Sequence, residues 1–498
     1  MNSQGEKIVP PEIVYENANW IYDKKVVKQK LLEIFGLKNV SDKEVDLFAY
    51  GKDFSLIASH WLLKGKIAAK PDFIVWPENV KQISKLLKMA TAEKVPVIPF
   101  GSGSGVVGGA LPIHGGIIVD MKKMDKIVEI NKVNLTATIQ TGINGMNLER
   151  ALNSKGFTMG HIPQSVYTST LGGYLAHKAA GQFSTKYGKI EDMILSLEAV
   201  IPDGTIIKSK PAPRKSIGPQ LDKFLIGSEG TLAIITEVTV RIWPLPEKRV
   251  LISYAFPSMA QALEAVRSIL QSQVYPAVIR IYDANETARH FPTEANAKDR
   301  CMTIFVCEGS QQIAEFEASI VSEKSRSCEG VACGSAPVEH WFATRFNVKE
   351  SSTLIPLNLV VDTIEVAVMW DKANKLYQSV IASMNAVPGT VLATGHASHF
   401  YEQGVCFYFS FGGTAVKQTE EEYYRTVWKA CIETTLQIGG TIAHHHSIGL
   451  NRLQWMKDEW GAAYDVIKRI KKSLDPNNIL NPGKLFLQET GKKEQKEK

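Results

Sequence analysis

The stretch Pro99-Phe100-Gly101-Ser102-Gly103-Ser104-Gly105-Val106-Val107-Gly108-Gly109 sets the strongest limit on what this chain can fold into. It follows a short apolar run, Val95-Pro96-Val97-Ile98, that reads as a buried strand leaving a core. Glycine at alternate positions lets successive backbone N–H groups turn toward one centre, which makes a concave anion site. Residues 103–108 fit the pattern G-x-G-x-x-G, yet that pattern marks a dinucleotide fold only when a helix follows directly. Here Pro112 and the pair Gly115-Gly116 exclude a helix, and a strand-like Ile117-Ile118-Val119-Asp120 comes next. A Rossmann unit is ruled out. Taken alone, the stretch is either a phosphate-cradling loop between two strands or a glycine-rich hairpin without a ligand.

A second stretch, Gly160-His161-Ile162-Pro163-Gln164-Ser165-Val166-Tyr167-Thr168-Ser169-Thr170-Leu171-Gly172-Gly173, has no core periodicity and is dense in hydroxyls and glycine. Such a loop can set several donors against a polar ring edge, as an isoalloxazine or a nucleobase requires. The competing reading is a structural loop whose hydroxyls cap the following helix. A third stretch, from Gly227-Ser228-Glu229-Gly230-Thr231 through the apolar run to Ile242, gives a glycine turn and an alternating strand. Trp243-Pro244-Leu245-Pro246 then marks a domain boundary.

The rest of the chain alternates helices with short strands. A helix is predicted over 19–36 with Ile21, Val26, Leu31, Leu32 and Ile34 inward. A βαβ-like unit runs from Phe73-Ile74-Val75-Trp76 to the glycine stretch, followed by short strands at 117–120, 126–130 and 135–140. A helix from Gly145 to Lys155 puts Met146, Leu148, Ala151 and Leu152 inward, and Ile194 to Lys208 reads as a hairpin around Pro202-Asp203-Gly204. Beyond Pro246, strands at 250–256, 277–282, 303–307, 359–365 and 405–411 with helices at 259–272 and 419–438 suggest an antiparallel α/β layer. Residues 345–358 read as loop.

Length and composition narrow the class. At 498 residues the chain can hold two or three domains. A hydrophobic share of 44% with 22% charged residues is that of an ordinary globular protein, and a net charge of +6 gives no argument for nucleic acid. It suits an anionic substrate. Six cysteines without C-x-x-C spacing read as reduced thiols. No apolar run is long enough to span a bilayer, and residues 1–7 lack signal-peptide architecture, so the expected compartment is the cytoplasm.

The three glycine-bearing stretches, in this order, resemble the flavin-binding segments of the vanillyl-alcohol oxidase / p-cresol methylhydroxylase (PCMH-type) class of FAD enzymes. The resemblance implies an α+β fold: an N-terminal helical segment (1–65), a two-subdomain FAD-binding domain (66–246) and a substrate or cap domain with a mostly antiparallel sheet (247–440). A C-terminal helical segment (441–488) would return to the flavin site, and 489–498 would be a disordered tail. The cofactor residues implied are Pro99, Phe100, Gly101, Ser102, Gly103, Ser104 and Gly105. To them it adds Pro163, Gln164, Ser165, Val166, Tyr167, Thr168, Ser169, Thr170, Gly172, Gly173, Ala176 and His177, and Glu229, Gly230, Thr231, Leu232, Ala233, Ile234 and Ile235. No histidine lies in the glycine loop, so FAD is expected to be non-covalent.

Within the class, Gly160-His161-x-Pro163-x-Ser165, Ile190-Glu191-Asp192, Ile279-Arg280, Gly404-x-x-x-Tyr408-Phe409 and His444-His445-His446-x-x-Gly449 resemble signatures of the alkylglycerone-phosphate synthase family. That family exchanges the acyl group of an acylated dihydroxyacetone phosphate for a fatty alcohol through a flavin N5 adduct. The resemblance implies that Tyr408 handles the substrate proton, that His444, His445 and His446 assist, and that Arg280 and Arg345 hold the phosphate. A buried tyrosine can exchange protons if cationic neighbours lower its pKa. A homodimer and loose membrane contact come with the resemblance. Ile162 and Gln164 stand where the family has acidic residues, which keeps open oxidation of a 2-hydroxy acid or another alcohol; a third reading, a flavoprotein that only relays electrons, is opposed by the cluster of ionisable residues expected over the ring. A metal is not expected: on a strand, His444 and His446 would share one face while His445 points away. A metal would need a further ligand, for which His399 is a candidate. The histidine run could also be simple packing, and Tyr408 among Phe407, Phe409 and Phe411 could be core. His161 and Asp192 are expected to support the site from behind, and Cys406 to be a buried inert thiol.

Overall fold

The computed structural model describes residues 11–15, 20–347 and 359–487. The expectations for the extreme N-terminus, for most of the 345–358 loop and for the 489–498 tail lie outside these residues. The glycine stretch leaves strand Val97–Phe100 and leads to Ile117–Asp120, and the two strands pair in parallel. That excludes a hairpin, which joins antiparallel neighbours. They belong to a four-stranded sheet in the order Val40–Ser41, Phe73–Val75, Ile117–Asp120, Val97–Phe100. Helix Val80–Glu93, whose N-cap Asn79 accepts from the Gln82 amide, buries Ile83, Leu86, Leu87 and Ala90 with the sheet's apolar residues.

The first helix spans Lys24–Phe35 and starts later than the sequence suggests, because Asp23 caps it by accepting from the Lys25 and Val26 amides. Its buried stripe is Val27, Leu31 and Phe35, each four residues from the next. Ile21, expected inward, precedes the helix and is 97% exposed, and Val26 faces solvent. Helix Gly145–Asn153 buries Leu148 and Leu152 as predicted, while Met146 and Ala151 are only half-buried. Glu149 takes a place there because its carboxylate accepts from Thr158 Oγ1 and, at 3.1 Å, from the Met159 amide. A five-stranded antiparallel sheet, ordered Ile206–Lys208, Ile194–Val200, Ile234–Arg241, Thr136–Gln140, Ile127–Asn131, completes this half of the molecule.

After Pro246 the chain builds a seven-stranded antiparallel sheet, ordered Val331–Ala332, Lys248–Phe256, Cys301–Gly309, Val278–Tyr282, Thr390–Phe400, Gly404–Gly413, Val360–Met369. Period-two alternation decides its two faces. Ile279, Ile281, Phe407, Phe409, Ile364 and Val366 pack with helices Met259–Gln271, Trp370–Asn385 and Glu420–Ile438. Arg280, Tyr282, Tyr408 and Glu365 are therefore left on the other face, so Tyr408 is not part of the phenylalanine core around it. The C-terminal segment returns to the glycine strand: the Val97 amide donates to the Ile479 carbonyl at 2.8 Å, and the Asn481 amide to the Val97 carbonyl at 2.9 Å.

Candidate active site

The three flavin-type stretches converge. A Cβ on Gly101 would overlap Thr170 Oγ1, and one on Gly230 (φ +69°) would lie 2.9 Å from Pro99 Cγ, so side chains are barred where the loops touch. His177, at the end of helix Leu171–His177, faces Gly105 and Gly109. Asn481 ties the set together by donating to the carbonyls of Gly109 at 2.9 Å and Glu229 at 2.7 Å. The amides of Ser102 through Val107 donate to no protein acceptor among the described residues, and Ser102 Oγ is buried without a partner. A run of unpaired amides around a buried hydroxyl suits the pyrophosphate of a dinucleotide. The chain's residues thus fit FAD.

The other implied cofactor residues fall into two groups. Val166, Leu232, Ala233, Ile234 and Ile235 turn their side chains into the core, leaving only backbone for a ligand. The hydroxyls of Thr168 and Ser169 donate to the Ser165 carbonyl at 3.1 and 2.7 Å, and Thr170 caps the next helix by accepting from Gly173. The Glu229 carboxylate accepts from the Ile448 amide at 2.8 Å, the Gly449 amide at 3.0 Å and the Ser447 hydroxyl, which clamps the histidine segment onto the glycine loop. His161 is buried against Tyr174, both ring nitrogens unpartnered, and burial lowers its pKa to about 3. Asp192 accepts from the Lys189 amide.

Tyr408 is the centre of a hydrogen-bonded chain. Its hydroxyl lies 2.9 Å from His399 Nε2 and 2.8 Å from His445 Nε2. His399 Nδ1 meets Ser184 Oγ at 2.7 Å, His445 Nδ1 meets His444 Nδ1 at 3.0 Å, and His444 Nε2 meets Tyr401 Oη at 2.9 Å. The Ser184 and Tyr401 hydroxyls also interact, which nearly closes a ring. Burial lowers the pKa of His399, His444 and His445 well below the usual imidazole range, assisted by neighbouring cations. A neutral imidazole has one donor and one acceptor nitrogen. With that inventory the chain satisfies itself running from Tyr401 to Ser184, and equally well in reverse. Burial also pushes Tyr408 well above the usual phenol range, more than Arg280 draws it down. The expectation that cationic neighbours lower it is therefore corrected: Tyr408 stays a protonated phenol.

The histidine run is not a strand. His444, His445 and His446 form a bend whose amides all point at Glu365, donating at 2.6, 3.4 and 2.8 Å. Strand alternation therefore does not apply, and His445 faces Tyr408 rather than away from it. Arg452, fully buried like Glu365, lies 3.2 Å from the same carboxylate and donates to the Ser447 carbonyl at 2.7 Å. Glu365, Cys406, His444 and His445 offer ligand atoms within 4.8 Å of one another. A metal there would have to break into the hydrogen bonds that engage every ring nitrogen of His444 and His445. Burial raises the Cys406 thiol well above its ordinary range.

The two arginines lie in separate surroundings. Arg280 donates from Nε to Tyr282 Oη at 3.0 Å and faces the Tyr408 side of the sheet. Arg345 follows helix Ala336–Thr344, its guanidinium 4.6 to 5.7 Å from the rings of Phe183, Trp341, Phe342 and Phe346. Burial, with Arg249 nearby, lowers its pKa to about 10. Glu365, Ser184, Tyr401, His396 and Glu286 escape a motif reading. The signal for Glu365 was available, since a carboxylate between Ile364 and Val366 in an apolar strand needs a buried partner.

Residues 71–210 match the family profile described as "FAD binding domain", and residues 245–485 that described as "FAD linked oxidases, C-terminal domain". The chain is 33% identical over 435 residues to the Uncharacterized FAD-linked oxidoreductase YgcU of Escherichia coli (strain K12), covering 84% of this chain and 89% of that one. It is 30% identical over 456 residues to the alkyldihydroxyacetonephosphate synthase of Dictyostelium discoideum, covering 85% and 74%. A solved alkyldihydroxyacetonephosphate synthase superposes with a TM-score of 0.78 at 26% identity, over 97% of this chain and 88% of that one. Substrate-bound p-cresol methylhydroxylase superposes with a TM-score of 0.74 at 15% identity, over 93% and 96%, a likeness of fold. The fold is PCMH-type, and it defines an FAD-dependent enzyme. The chain belongs to the FAD-linked oxidoreductase family, with alkyldihydroxyacetonephosphate synthase among its relatives. No described helix is long and apolar enough to cross a membrane.

Proposed function

We propose that this chain exchanges the acyl group of an acylated dihydroxyacetone phosphate-like anion, together with its ester oxygen, for an alkoxy group, releasing the fatty acid, as in ether-lipid synthesis. The observation that supports this most is the neutral proton chain through Tyr408. Such a chain can accept a substrate proton at one point and return it by reversing its polarity, without building net charge in a buried site. That suits an exchange whose substrate and product share one oxidation state. FAD, held by the glycine loop and its neighbours, supplies an electrophilic, redox-active ring. Tyr408 accepts and returns the proton, His445 and His399 orient its hydroxyl, and Arg280 draws in the anion. A fatty alcohol as second substrate, a homodimer, a cytoplasmic setting and loose membrane contact belong to the same proposal.

A second reading is hydride removal from a 2-hydroxy acid such as D-lactate or glycolate, or from another alcohol. It is favoured by the oxidase description of the profile over 245–485, and the same phenol could take the hydroxyl proton. Anaerobic incubation separates the two. Ether product without net bleaching of the flavin supports the exchange; bleaching by a simple 2-hydroxy acid with no ether product overturns it.

A further inference from the structure

The sheet face that carries Tyr408 holds a second carboxylate–imidazole pair that the proton chain leaves unused. Glu286, on helix Ala284–His290, is 1% exposed, and its Oε2 lies 2.9 Å from His396 Nδ1. Its Oε1 accepts from Thr394 Oγ1 at 3.1 Å. Burial is the largest single influence and opposes ionisation of Glu286, but His396, Arg289 and His290 together outweigh it and hold the carboxyl at about 2. A carboxylate this close to Nδ1 helps to fix the imidazole's orientation, and Nε2 lies on the opposite side of the ring. The contact is an ion-pair distance without hydrogen-bond geometry, since Glu286 Oε2 and His396 Nδ1 are each buried without a hydrogen-bond partner among the described residues.

Arg280 stands beside this pair. Tyr282 is directly opposite His396 in the strand ladder, their rings 5.9 Å apart, and Arg280 lies on Tyr282, hydrogen-bonded through Nε alone. Both Nη groups of Arg280 are left over, and among the described residues no carboxylate lies within ion-pair distance of it. Arg280 is thus an inward cation without a direct counter-ion, and such a cation needs a counter-charge. His396 also stacks on Tyr408, ring centroids 4.6 Å apart at 15°, so whatever binds here lies next to the proton chain.

We propose that His396, held by Glu286, joins Arg280 in one oxyanion subsite that grips the charged end of the substrate, carboxylate or phosphate, beside Tyr408. The guanidinium offers a planar pair of donors and His396, when it carries a proton on Nε2, a third from the side. This rests on the reading that the substrate is anionic, and it assigns the second donor to His396 rather than to Arg345.

The test is calorimetric titration of inorganic phosphate, and separately of acetate, into FAD-loaded protein, so that the pyrophosphate cradle is already filled. The wild type should bind at least one of the two, and the tighter arm names the substrate's charged group. H396F keeps a ring against Tyr408 and removes both nitrogens. It should weaken that anion about tenfold or more, the effect of one charge-assisted hydrogen bond. E286Q keeps an acceptor but not the charge and should weaken it less, and R345Q should leave it unchanged. Unaltered affinity in both H396F and E286Q, with FAD retained, overturns the subsite, as does a wild type that binds neither anion. Since no turnover is required, failure of the acyl-exchange reading would leave this result standing.

Discussion

Tyr408 and Glu365 face each other directly across two strands, and His445 spans them, its amide on the carboxylate and its Nε2 2.8 Å from the phenol. One ladder step therefore fixes both ends of the histidine that meets Tyr408. Glu365 and Arg452 are both fully buried and form an ion pair at 3.2 Å. E365Q keeps one acceptor oxygen but turns an N–H₂ toward backbone N–H groups. It should lower kcat by about tenfold to a hundredfold with little change in KM, the signature of a displaced group rather than lost binding. E365A leaves Arg452 buried and unpaired and should cost about 3–5 kcal/mol of stability. Steady-state kinetics and denaturant titration check both.

Removing the phenol should stop the relay without emptying the flavin site. Y408F is expected to lose about 10²–10⁴-fold in turnover, the range of a positioned proton-transfer group, while retaining FAD absorbance. S184A touches neither Tyr408 nor the glycine loop but removes the hydroxyl that ends the chain at His399 Nδ1. It should lower kcat and change the solvent deuterium isotope effect on it. An isotope effect identical to wild type would show that the proton does not travel past His399.

Acid should unfold this protein early, and the sign follows from the histidines. Burial lowers His399, His444 and His445 well below 6.5 and His446 to about 4, and it lowers His60, His114 and His161 too. For such groups the unfolded chain binds more protons than the native one, so stability is full above about pH 6.5 and falls as pH drops toward 4. Asp362 opposes this: burial raises it to about 6, so it favours the native state as pH falls from 6 toward its unfolded value. Asp53, Asp283 and Glu317, also raised by burial, act in the same direction as Asp362. The lowered histidines outnumber the raised carboxyls, which leaves a net loss. Melting temperature measured from pH 7.5 to 4.5 should decrease, and Y408F, which disturbs the cluster without changing its imidazoles, should keep the slope.

What the sequence could and could not show follows from the range of each interaction. The glycine loop is local, and its alternate glycines, with Pro112 behind them, carry both the cradle and the exclusion of a Rossmann helix. The burial of alternate phenylalanines around Tyr408 is equally local, since strand period separates them from it. The bend at His444–His446 is not. It exists because a carboxylate from residue 365 gathers three amides, and nothing in H-H-H itself signals a turn rather than a strand. His399 and Ser184 meet across 215 positions, and Glu286 and Thr394 across 108, separations that no local pattern reports. Periodicity has the same limit at the N-terminal helix, where the Asp23 cap, not the apolar spacing, decides that Ile21 stays outside.

Gly101 tests the cofactor cradle most directly. Its position has no room for a methyl group, because a Cβ would overlap Thr170 Oγ1, itself fixed by capping helix Leu171–His177. G101A must therefore push the glycine loop away from the second flavin-type stretch or displace the cap. A lost cap costs about 1 kcal/mol, which a protein of this size tolerates, so the variant should fold. What it should not keep is the alignment of the Ser102–Val107 amides, whose unpaired N–H groups need a common centre to serve an anion. G101A is expected to purify with far less FAD and to bind added FAD at least about tenfold more weakly, the loss of one charge-assisted contact. T170S, which keeps the capping oxygen and the loop contact, should stay yellow. Full flavin content in G101A would mean that the cradle is set elsewhere than at the contact between these two loops.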